Sequence, residues 1–179
     1  MGEITSPLPV KLFVGVLTSI PDILSQAEKQ LSAVYGTVDT RSQTYAFDWT
    51  RYYEKTMGHP LYRYFMSFEN LIKPESIAEI KAATNELESS FANKWTSVSR
   101  PINLDPGYIE ESKLVLASTK NFSHRIYLSH GIYAEVTLNY EKGGVWKAFP
   151  WTFPDYSADG YHAYFISLRD RYRKQLNRG

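Results

Sequence analysis

The sequence contains no cysteine. This absence excludes disulfide bonds, thiolate zinc sites and iron–sulfur ligation. Charge of one sign is also missing, because 20 basic residues face 19 acidic ones and the formal net charge is +1. A nearly neutral chain has no field that would hold a polyanion, so the composition argues against non-specific nucleic-acid binding. No run approaches the roughly 18 apolar residues of a membrane span, and we expect no membrane association.

Several catalytic and cofactor motifs are absent as well. The sequence has no GxxxxGK[ST] phosphate loop, no GxSxG nucleophile elbow and no HExxH metal motif. The histidines, His59, His124, His130 and His162, are scattered, and Gly143-Gly144 indicates a hairpin turn instead of a dinucleotide fingerprint. We therefore expect neither a metal nor a cofactor.

The bulk composition favours one folded domain over residues 1–179. With 179 residues and 43% apolar side chains, the chain is long and apolar enough for a full core. The opening segment, MGEITSPLPV, lacks the basic stretch and the apolar core of a signal peptide, so we expect a cytoplasmic protein. Aromatic residues reach 15%, with 14 Tyr against 9 Phe, and tyrosine is favoured where one side is packed and the other is wet.

The first hundred residues predict an alternation of strands and helices. Strands are expected over Val10–Thr18, Arg41–Phe47 and Leu61–Glu69, from their apolar and aromatic content. Helices are expected to begin near Pro21 and near Pro74, since proline suits the first turn of a helix. The aromatic segment DWTRYYEKTMGHP between the second and third strands is interpreted as a short helix or a loop.

The pattern changes after residue 101. Asp105-Pro106-Gly107 is a strong turn signal. Four apolar segments with short spacers follow, which predicts a β-meander: SKLVLASTK, HRIYLSHG, IYAEVTLNY and VWKAFPWTF. A last helix is expected from about Ala158 to Leu176.

Together these elements predict an α+β fold. The first five elements and the first meander strand match a ferredoxin-like βαββαβ plan. The expected architecture is therefore a ferredoxin-like core extended by an antiparallel β-meander and a C-terminal helix. Whether the remaining strands extend the core sheet or form a second sheet stays open.

The stretch HRIYLSHGIYAEVTLNY, beginning at His124, raises a question of strand register. A two-residue loop at His130-Gly131 would place Ile126 opposite Glu135 and mix the apolar and polar faces, which a half-buried sheet resists. We therefore predict a three-residue loop over residues 129–131, with glycine at its left-handed position.

The predicted register has specific partners. Leu128 pairs with Ile132, Tyr127 with Tyr133 and Arg125 with Glu135. A further loop over residues 121–123 would then place Thr119 beside Arg125. The polar face of the meander is expected to carry Thr119, Arg125 and Glu135 in one row, with Tyr127 and Tyr133 in the next.

This polar face is the first candidate site, and two interpretations of it stay open. Arg125 and Glu135 belong to a ligand-binding pocket if the last helix or the N-terminal half covers the face. Without such a cover they form a surface ion pair flanked by tyrosines, which is the more common arrangement and contributes roughly 0.2–1 kcal/mol.

Two neighbouring loops extend the candidate set. Thr119 and Lys120, together with His124, collect hydroxyl and cationic groups suited to phosphate or carboxylate, although a solvated hairpin tip has the same composition. Asp105 and Tyr108 would add an adjoining ligand-binding loop, with a plain turn as the alternative. Separately, PDY and FDW each place a carboxylate among aromatic residues, and such neighbours raise a carboxyl pKa by desolvation.

Four stretches of the sequence resemble one prokaryotic family, catalogued as domain of unknown function 4416. They are FDWTRYYEKTMG, LYRYFMSFENLI, RPINLDPGYIEESKLVLASTKNFSHRIYLSHGIYAEVTL and PWTFPDY. The resemblance covers nearly the whole chain but implies no particular reaction or catalytic residue. Members are sometimes labelled GTP-binding proteins, yet this sequence has neither a phosphate loop nor an NKxD motif.

Three functions follow from these features. The first is a domain that binds a small-molecule or nucleotide-like anion, with any catalysed reaction left open. In it Arg125 holds the anionic group, and Glu135 orients that group or acts as a base. The second is a non-catalytic interaction module or homo-oligomer, in which the aromatic residues of DWTRYYEK and AFPWTFPDY bind a protein partner or a second copy. RNA binding on sheet tyrosines ranks last, because the expected aromatic motif is missing.

Overall fold

The computed structural model describes residues 2–177 of the protein. Residue 1 and residues 178–179, which fall within the predicted domain 1–179, lie outside the described residues. The helices and strands follow one another as β1 (Val10–Thr18), α1 (Ile23–Tyr35), β2 (Val38–Arg41), β3 (Tyr45–Ala46), α2 (Glu54–Met57), β4 (Tyr62–Ile72), α3 (Ile77–Lys94), β5 (Asn103–Ile109), β6 (Lys113–Ser118), β7 (Ile126–Ser129), β8 (Ile132–Glu141), β9 (Val145–Ala148) and α4 (Asp159–Leu176).

Within the described residues the strands form one nine-stranded sheet. Its main path runs β2-β4-β1-β5-β6-β8-β7, with β3 on β4 and β9 on β8, and the pairings along it are antiparallel. The expected α+β fold with an antiparallel sheet and a C-terminal helix is thus confirmed. The strands after residue 110 extend the main sheet, which answers the question that the sequence left open.

The two faces of the sheet carry separate cores. The strand β1 is buried along its full length, because it lies between β4 and β5 and is covered on both faces. Its Leu12, Val14 and Val16 pack with the buried residues of α1 and α3. Phe13 points the opposite way and joins the aromatic residues of α4. The alternation of side chains along a strand explains this division.

The predicted strand Arg41–Phe47 is wrong in its bounds. The structure has two short strands there, β2 and β3, which both pair with β4. The interruption lies at Ser42, whose amide donates to the carbonyl of Phe65 and whose hydroxyl accepts from the amide of Phe65. The side chain therefore replaces a regular ladder contact.

The predicted turn at Asp105-Pro106-Gly107 is also wrong, because these residues lie inside β5. Gly107 is required for close approach and not for a turn, since an added Cβ would lie 2.5 Å from the carbonyl oxygen of Val115 on β6. Pairing of β5 with β6 covers Gly107 to Ile109 and stops before Pro106. Proline has no N–H to donate to a neighbouring strand, so the two strands are free to separate there.

Two consequences follow for the predicted strand order. The strand after α3 is β5, so the first predicted meander strand, β6, comes one place later than expected. The strands also do not follow a simple meander, because β6 pairs with β8 and leaves β7 outside. The predicted contact of Thr119 beside Arg125 on adjacent strands is therefore wrong.

The predicted three-residue loop is wrong as well. Ser129 pairs with Ile132, which leaves a two-residue turn with His130 at φ 53° and Gly131 at φ 73°. Both positive angles are those of a type I′ turn. A bulge at Leu128 shifts the register by one residue, so Tyr127 still pairs with Tyr133 as predicted. The bulge keeps apolar and polar side chains on separate faces of the sheet, so a third loop residue is not needed.

The last helix agrees with its prediction. It runs from Asp159 to Leu176 and buries five apolar and aromatic residues, Tyr161, Tyr164, Phe165, Leu168 and Tyr172. Among the helices of residues 2–177, none combines the length and the apolar character needed to cross a membrane.

Candidate ligand-binding cavity

A cavity of about 680 Å³ opens where β5 and β6 separate. The first half of β5 and the last residues of β6 form part of its wall. The segments 47–53, 119–125 and 153–156 surround the opening, and α3 contributes Lys81 and Asn85. The ladder between β5 and β6 ends before Pro106, and these loops fill only part of the space beyond it.

The inner end of the cavity is built around Arg63 of β4, which is 4% exposed. Its Nη1 donates to Asp105 at 2.9 Å, and its Nη2 donates to Asp155 at 3.2 Å. The guanidinium also lies 5.3 Å from the ring centre of Phe47 and 5.9 Å from that of Tyr156. One cation therefore connects β4, β5 and the loop before α4.

Further polar groups extend this inner cluster. Asn103 donates its amide to Asp105 at 2.6 Å. Lys81 donates to the carbonyl of Leu104 at 2.7 Å, and its ammonium lies 4.0 Å from Asp105. Arg100 donates to Glu88 at 3.1 Å. Cations and carboxylates thus alternate along the wall formed by β5 and α3.

Burial and charge shift the two carboxylates on Arg63 in opposite directions. Burial raises the pKa of Asp155, although Arg63 opposes this shift. Burial acts on Asp105 too, but the charges of Arg63 and Lys81 outweigh it, so the pKa of Asp105 is lowered. Burial also raises the pKa of Glu88 and raises that of Tyr156 well above its ordinary value. The inner end therefore holds one acid that favours ionisation and one that resists it.

The outer end of the cavity is built around Arg125. Its Nε donates to Glu135 at 2.6 Å, and its Nη1 donates to the hydroxyl of Ser118 at 2.8 Å. The rings of Phe122 and Phe153 flank the guanidinium, with centres 4.9 Å and 5.9 Å from it. The ion pair expected from the sequence is present, and it is buried.

Glu135 is the most enclosed carboxylate of this end, with 2% of its surface exposed. Besides Arg125 it contacts the imidazole of His124 at 3.1 Å and accepts a hydrogen bond from Thr137 at 3.2 Å. Three partners fix the carboxylate, so it acts as a support for Arg125.

An aromatic column joins the two loops at this end. The rings of Phe122, His124, Trp151 and Phe149 stack in that order, with planes within 9° of parallel at each step. Trp151 also donates its indole N–H to the carbonyl of Val136 at 3.0 Å. The column holds the segment 119–125 against the loop before α4, so both walls of the outer end are fixed together.

The cavity lining has an excess of positive charge. Five basic side chains face three carboxylates, which gives a formal excess of two positive charges. Seven aromatic residues complete the lining, namely Phe47, Trp49, Tyr52, Tyr53, Phe122, Phe153 and Tyr156. Cations attract anions, and aromatic faces stack on planar rings. Within residues 2–177 no three His, Asp or Glu side chains gather in a way that could hold a metal ion.

The structure brings together part of the predicted site. Arg125, Glu135, Thr119, Lys120 and Asp105 all line the cavity. Arg125 and Glu135 come from the two neighbouring segments that were expected, whereas Asp105 comes from within β5 and not from a turn, and β6 does not lie beside β7.

The other predicted residues lie outside the lining. Tyr127 and Tyr133 pack edge to face on β7 and β8, with ring centres 5.4 Å apart, and Tyr127 is 57% exposed. His124 contacts Glu135 from outside. Tyr108 packs against the core on the α1 and α3 face, because it has the opposite parity to Asp105 along β5.

Several cavity residues were not predicted, and Arg63 is the most important of them. The sequence carries one usable signal, because Arg63 lies between Leu61 and Phe65, which share its side of the chain in an extended segment. The PDY pattern indicates only that Asp155 lies among aromatic residues, and the raised pKa of Asp155 agrees with that prediction. No pattern indicated that Lys81 and Arg100 would reach the same space.

Comparison with known proteins gives one match. Residues 8–172 match the family described as a domain of unknown function, DUF4416. The match covers nearly the whole chain and confirms the resemblance carried by the four sequence stretches. No curated protein and no solved structure matches the chain.

Proposed function

The chain belongs to the DUF4416 family, and we propose that it binds a small organic anion with a planar ring in the cavity between β5 and β6. The observation that carries this proposal is the lining itself, which combines a formal excess of two positive charges with seven aromatic residues. A volume of about 680 Å³ is within the range typical of small-molecule sites.

Two cations at the outer end are suited to the anionic group. Lys120 is exposed, and within the described residues no carboxylate lies within 4.0 Å of its ammonium. Arg125 is held by Glu135 through Nε and by Ser118 through Nη1. The fixed Arg125 and the exposed ammonium of Lys120 are both suitable donors for phosphate or carboxylate. Thr119 adds a hydroxyl to the same cavity lining.

Aromatic side chains from three segments of the lining are suited to the ring. Tyr52 and Trp49 come from the segment before α2, and Phe122 and Phe153 come from the two loops joined by the aromatic column. Stacking of a planar ring on such side chains contributes about 1–3 kcal/mol for each base in nucleic-acid complexes. Tyr127, Tyr133, His124 and Tyr108 are left out of the proposed site, since they do not line the cavity.

A ligand screen with calorimetry tests the proposal. The screen monitors the melting temperature with nucleotides, acyl phosphates, aromatic carboxylates and inorganic phosphate. Titration calorimetry on each hit then compares the wild type with Lys120→Ala and Tyr52→Ala, and with Lys142→Ala as a control in the exposed β8–β9 turn. We expect both cavity variants to weaken binding and the control to match the wild type. Absence of binding by every ring-bearing anion, or equal affinities in all four proteins, would refute the proposal.

A second candidate is self-association or binding of a protein partner. Exposed aromatic residues frame the cavity mouth, with Tyr52 at 69%, Trp49 at 49% and Phe153 at 43% exposure. Such residues dominate many protein contacts. Light scattering distinguishes this candidate, because a homo-oligomer has a mass at least twice 20.6 kDa. A monomer at all concentrations would remove self-association.

We also propose the finer description of the fold and its setting. The order β2-β4-β1-β5, with α1 and α3 on one face, supports a ferredoxin-like core in the first half of the chain. A single domain over residues 1–179 and a cytoplasmic location remain our expectations from the sequence. Limited proteolysis tests the domain proposal, which predicts a single protected fragment.

A further inference from the structure

Two polar atoms at the inner end of the cavity have no hydrogen-bond partner in the described structure. They are the hydroxyl of Tyr156 and the Nε of Arg63, although the hydroxyl of Tyr161, outside the lining, lies near the same guanidinium and also has no partner. Tyr156 and Arg63 both line the cavity, and their exposures are 2% and 4%. A buried donor without a partner costs about 1–3 kcal/mol, so such groups call for a partner that binds there.

A glycine of β1 allows these groups to approach the strand closely. A Cβ added to Gly15 of β1 would lie 3.1 Å from the hydroxyl of Tyr156 and 3.4 Å from the Nη1 of Arg63. The hydroxyl and the guanidinium therefore lie close together behind the cavity lining. A free N–H and a free O–H on neighbouring side chains suit an acceptor oxygen.

The inner and outer ends differ in charge. Arg63 is already neutralised, because Asp105 and Asp155 both accept hydrogen bonds from it. An anion placed there would lie beside two carboxylates. Lys120 at the outer end has no such carboxylate within 4.0 Å among residues 2–177. Electrostatics therefore directs the negative group outward and a neutral group inward.

We propose that the ligand binds with an uncharged carbonyl or hydroxyl oxygen of its ring end on Tyr156 and Arg63, and with its anionic group on Lys120 and Arg125. This inference rests on the proposed function and adds the orientation and the class of the ligand. The class is a planar heterocycle whose hydrogen-bonding edge and anionic arm lie at opposite ends, as in nucleoside 5′-monophosphates. The aromatic residues between the two ends stack on the ring.

The test separates the two ends with matched variants. Tyr156→Phe removes only the unpartnered hydroxyl, so its melting temperature should equal or exceed that of the wild type. Tyr172→Phe is the control, because the hydroxyl of Tyr172 donates to the carbonyl of Pro9 at 2.9 Å away from the cavity. We expect the control to lower the melting temperature and to leave binding unchanged. The probes are the 5′-monophosphates of guanosine, cytidine and uridine, whose bases each carry a carbonyl oxygen, and the three parent nucleosides.

Calorimetry should show a different pattern for each end. Tyr156→Phe should lower the affinity for monophosphates and for nucleosides alike, by about three- to tenfold, which corresponds to the loss of one hydrogen bond. Lys120→Ala should lower the affinity for the monophosphates and leave the affinity for the nucleosides unchanged. These two results together would support the proposed orientation.

Other outcomes overturn the inference in distinct ways. Binding that Lys120→Ala weakens but Tyr156→Phe does not would show that the inner groups are satisfied by water, and the proposed function would stand. Failure of all monophosphates to bind, while another ring-bearing anion of the screen binds, would remove the ligand class alone. A lower melting temperature of Tyr156→Phe would show that the hydroxyl has a protein partner and would overturn the argument at its start.

Discussion

The cavity contains two arginines in similar surroundings but with different partners. Arg63 and Arg125 each lie between two aromatic rings and donate to at least one carboxylate. Arg63 donates to Asp105 and Asp155, which are 42 and 92 residues away in the chain. Arg125 donates to Glu135, ten residues away, and to groups of its own loop.

The difference indicates a division of roles. The ion pairs of Arg63 join three segments that are far apart in the sequence, so the charges of this cluster stabilise the fold. The Arg125 pair joins the ends of one local segment, and in residues 2–177 no hydrogen bond is formed by its Nη2. We infer that the charge of the inner arginine stabilises the cavity and that the outer arginine retains capacity for an anionic group.

The largest expected effect comes from removing the inner cation. Arg63→Met leaves Asp105 and the buried Asp155 without their shared partner. Breaking a buried ion pair from one side costs about 3–5 kcal/mol of unfolding free energy. Urea denaturation measures it, with Arg173→Met as a control at an exposed pair with Glu111, where about 1 kcal/mol or less is expected. Equal losses in the two variants would contradict a stabilising role for Arg63.

The outer pair should be less costly to break. Arg125→Ala leaves Glu135 buried, but His124 and Thr137 still contact the carboxylate. We expect a loss of about 2 kcal/mol in the same urea experiment, typical of a hydrogen bond to a charged group. The double variant Arg125→Met/Glu135→Leu should recover part of this loss, since no buried charge is then left unpaired. A loss larger than that of Arg63→Met would reverse the comparison.

The two carboxylates on Arg63 predict opposite pH dependences. The pKa of Asp155 is raised by burial, so its contribution lowers the unfolding free energy as pH rises above the ordinary aspartate value of about 3.9. The pKa of Asp105 is lowered by Arg63 and Lys81 despite burial, so stability is lost as pH falls below about 3.9.

Asparagine variants separate these contributions. Asp155→Asn should reduce the decline of stability above pH 4, and Asp105→Asn should reduce the decline on the acid side. Urea denaturation between pH 2.5 and 7 measures both, and each variant serves as the control for the other. Glu88, whose pKa is also raised by burial, contributes to the decline of stability above pH 4 in both variants. The same pH profile in the two variants would refute the opposite shifts.

The smallest effect on stability is expected at the rim. Lys120 is exposed, and its main contact is the ring of Tyr52 at 5.1 Å. Lys120→Ala should change the unfolding free energy by no more than about 0.5 kcal/mol, as is usual for surface positions. Denaturation curves that overlay those of the wild type would confirm that any loss of ligand binding in this variant is local. A clear destabilisation would assign Lys120 to the fold.

The predictable parts of the fold were those determined by local patterns. The strand β1 and the helix α4 follow from runs and periodicities in their own residues. The ion pair of Arg125 and Glu135 was also accessible, because both residues belong to one alternating stretch. The length of the turn between β7 and β8 could not be predicted, since a bulge at Leu128 replaces the third loop residue.

The cluster around Arg63 could not be predicted from the sequence, for a physical reason. Its members become neighbours only through the strand order β4-β1-β5 and the return of the chain before α4. No local pattern encodes that order. Gly107 shows the same limit, because glycine permits both a turn and close packing of strands, and only the contact with Val115 distinguishes them.

A crystal structure of the complex with the tightest-binding anion of the screen tests the central claim most directly. We predict its ring between the aromatic walls of the cavity, and its anionic group within hydrogen-bond distance of Lys120 and Arg125. Electron density for the ligand on another surface, or for its anionic group beside Asp105 and Asp155, would contradict the account.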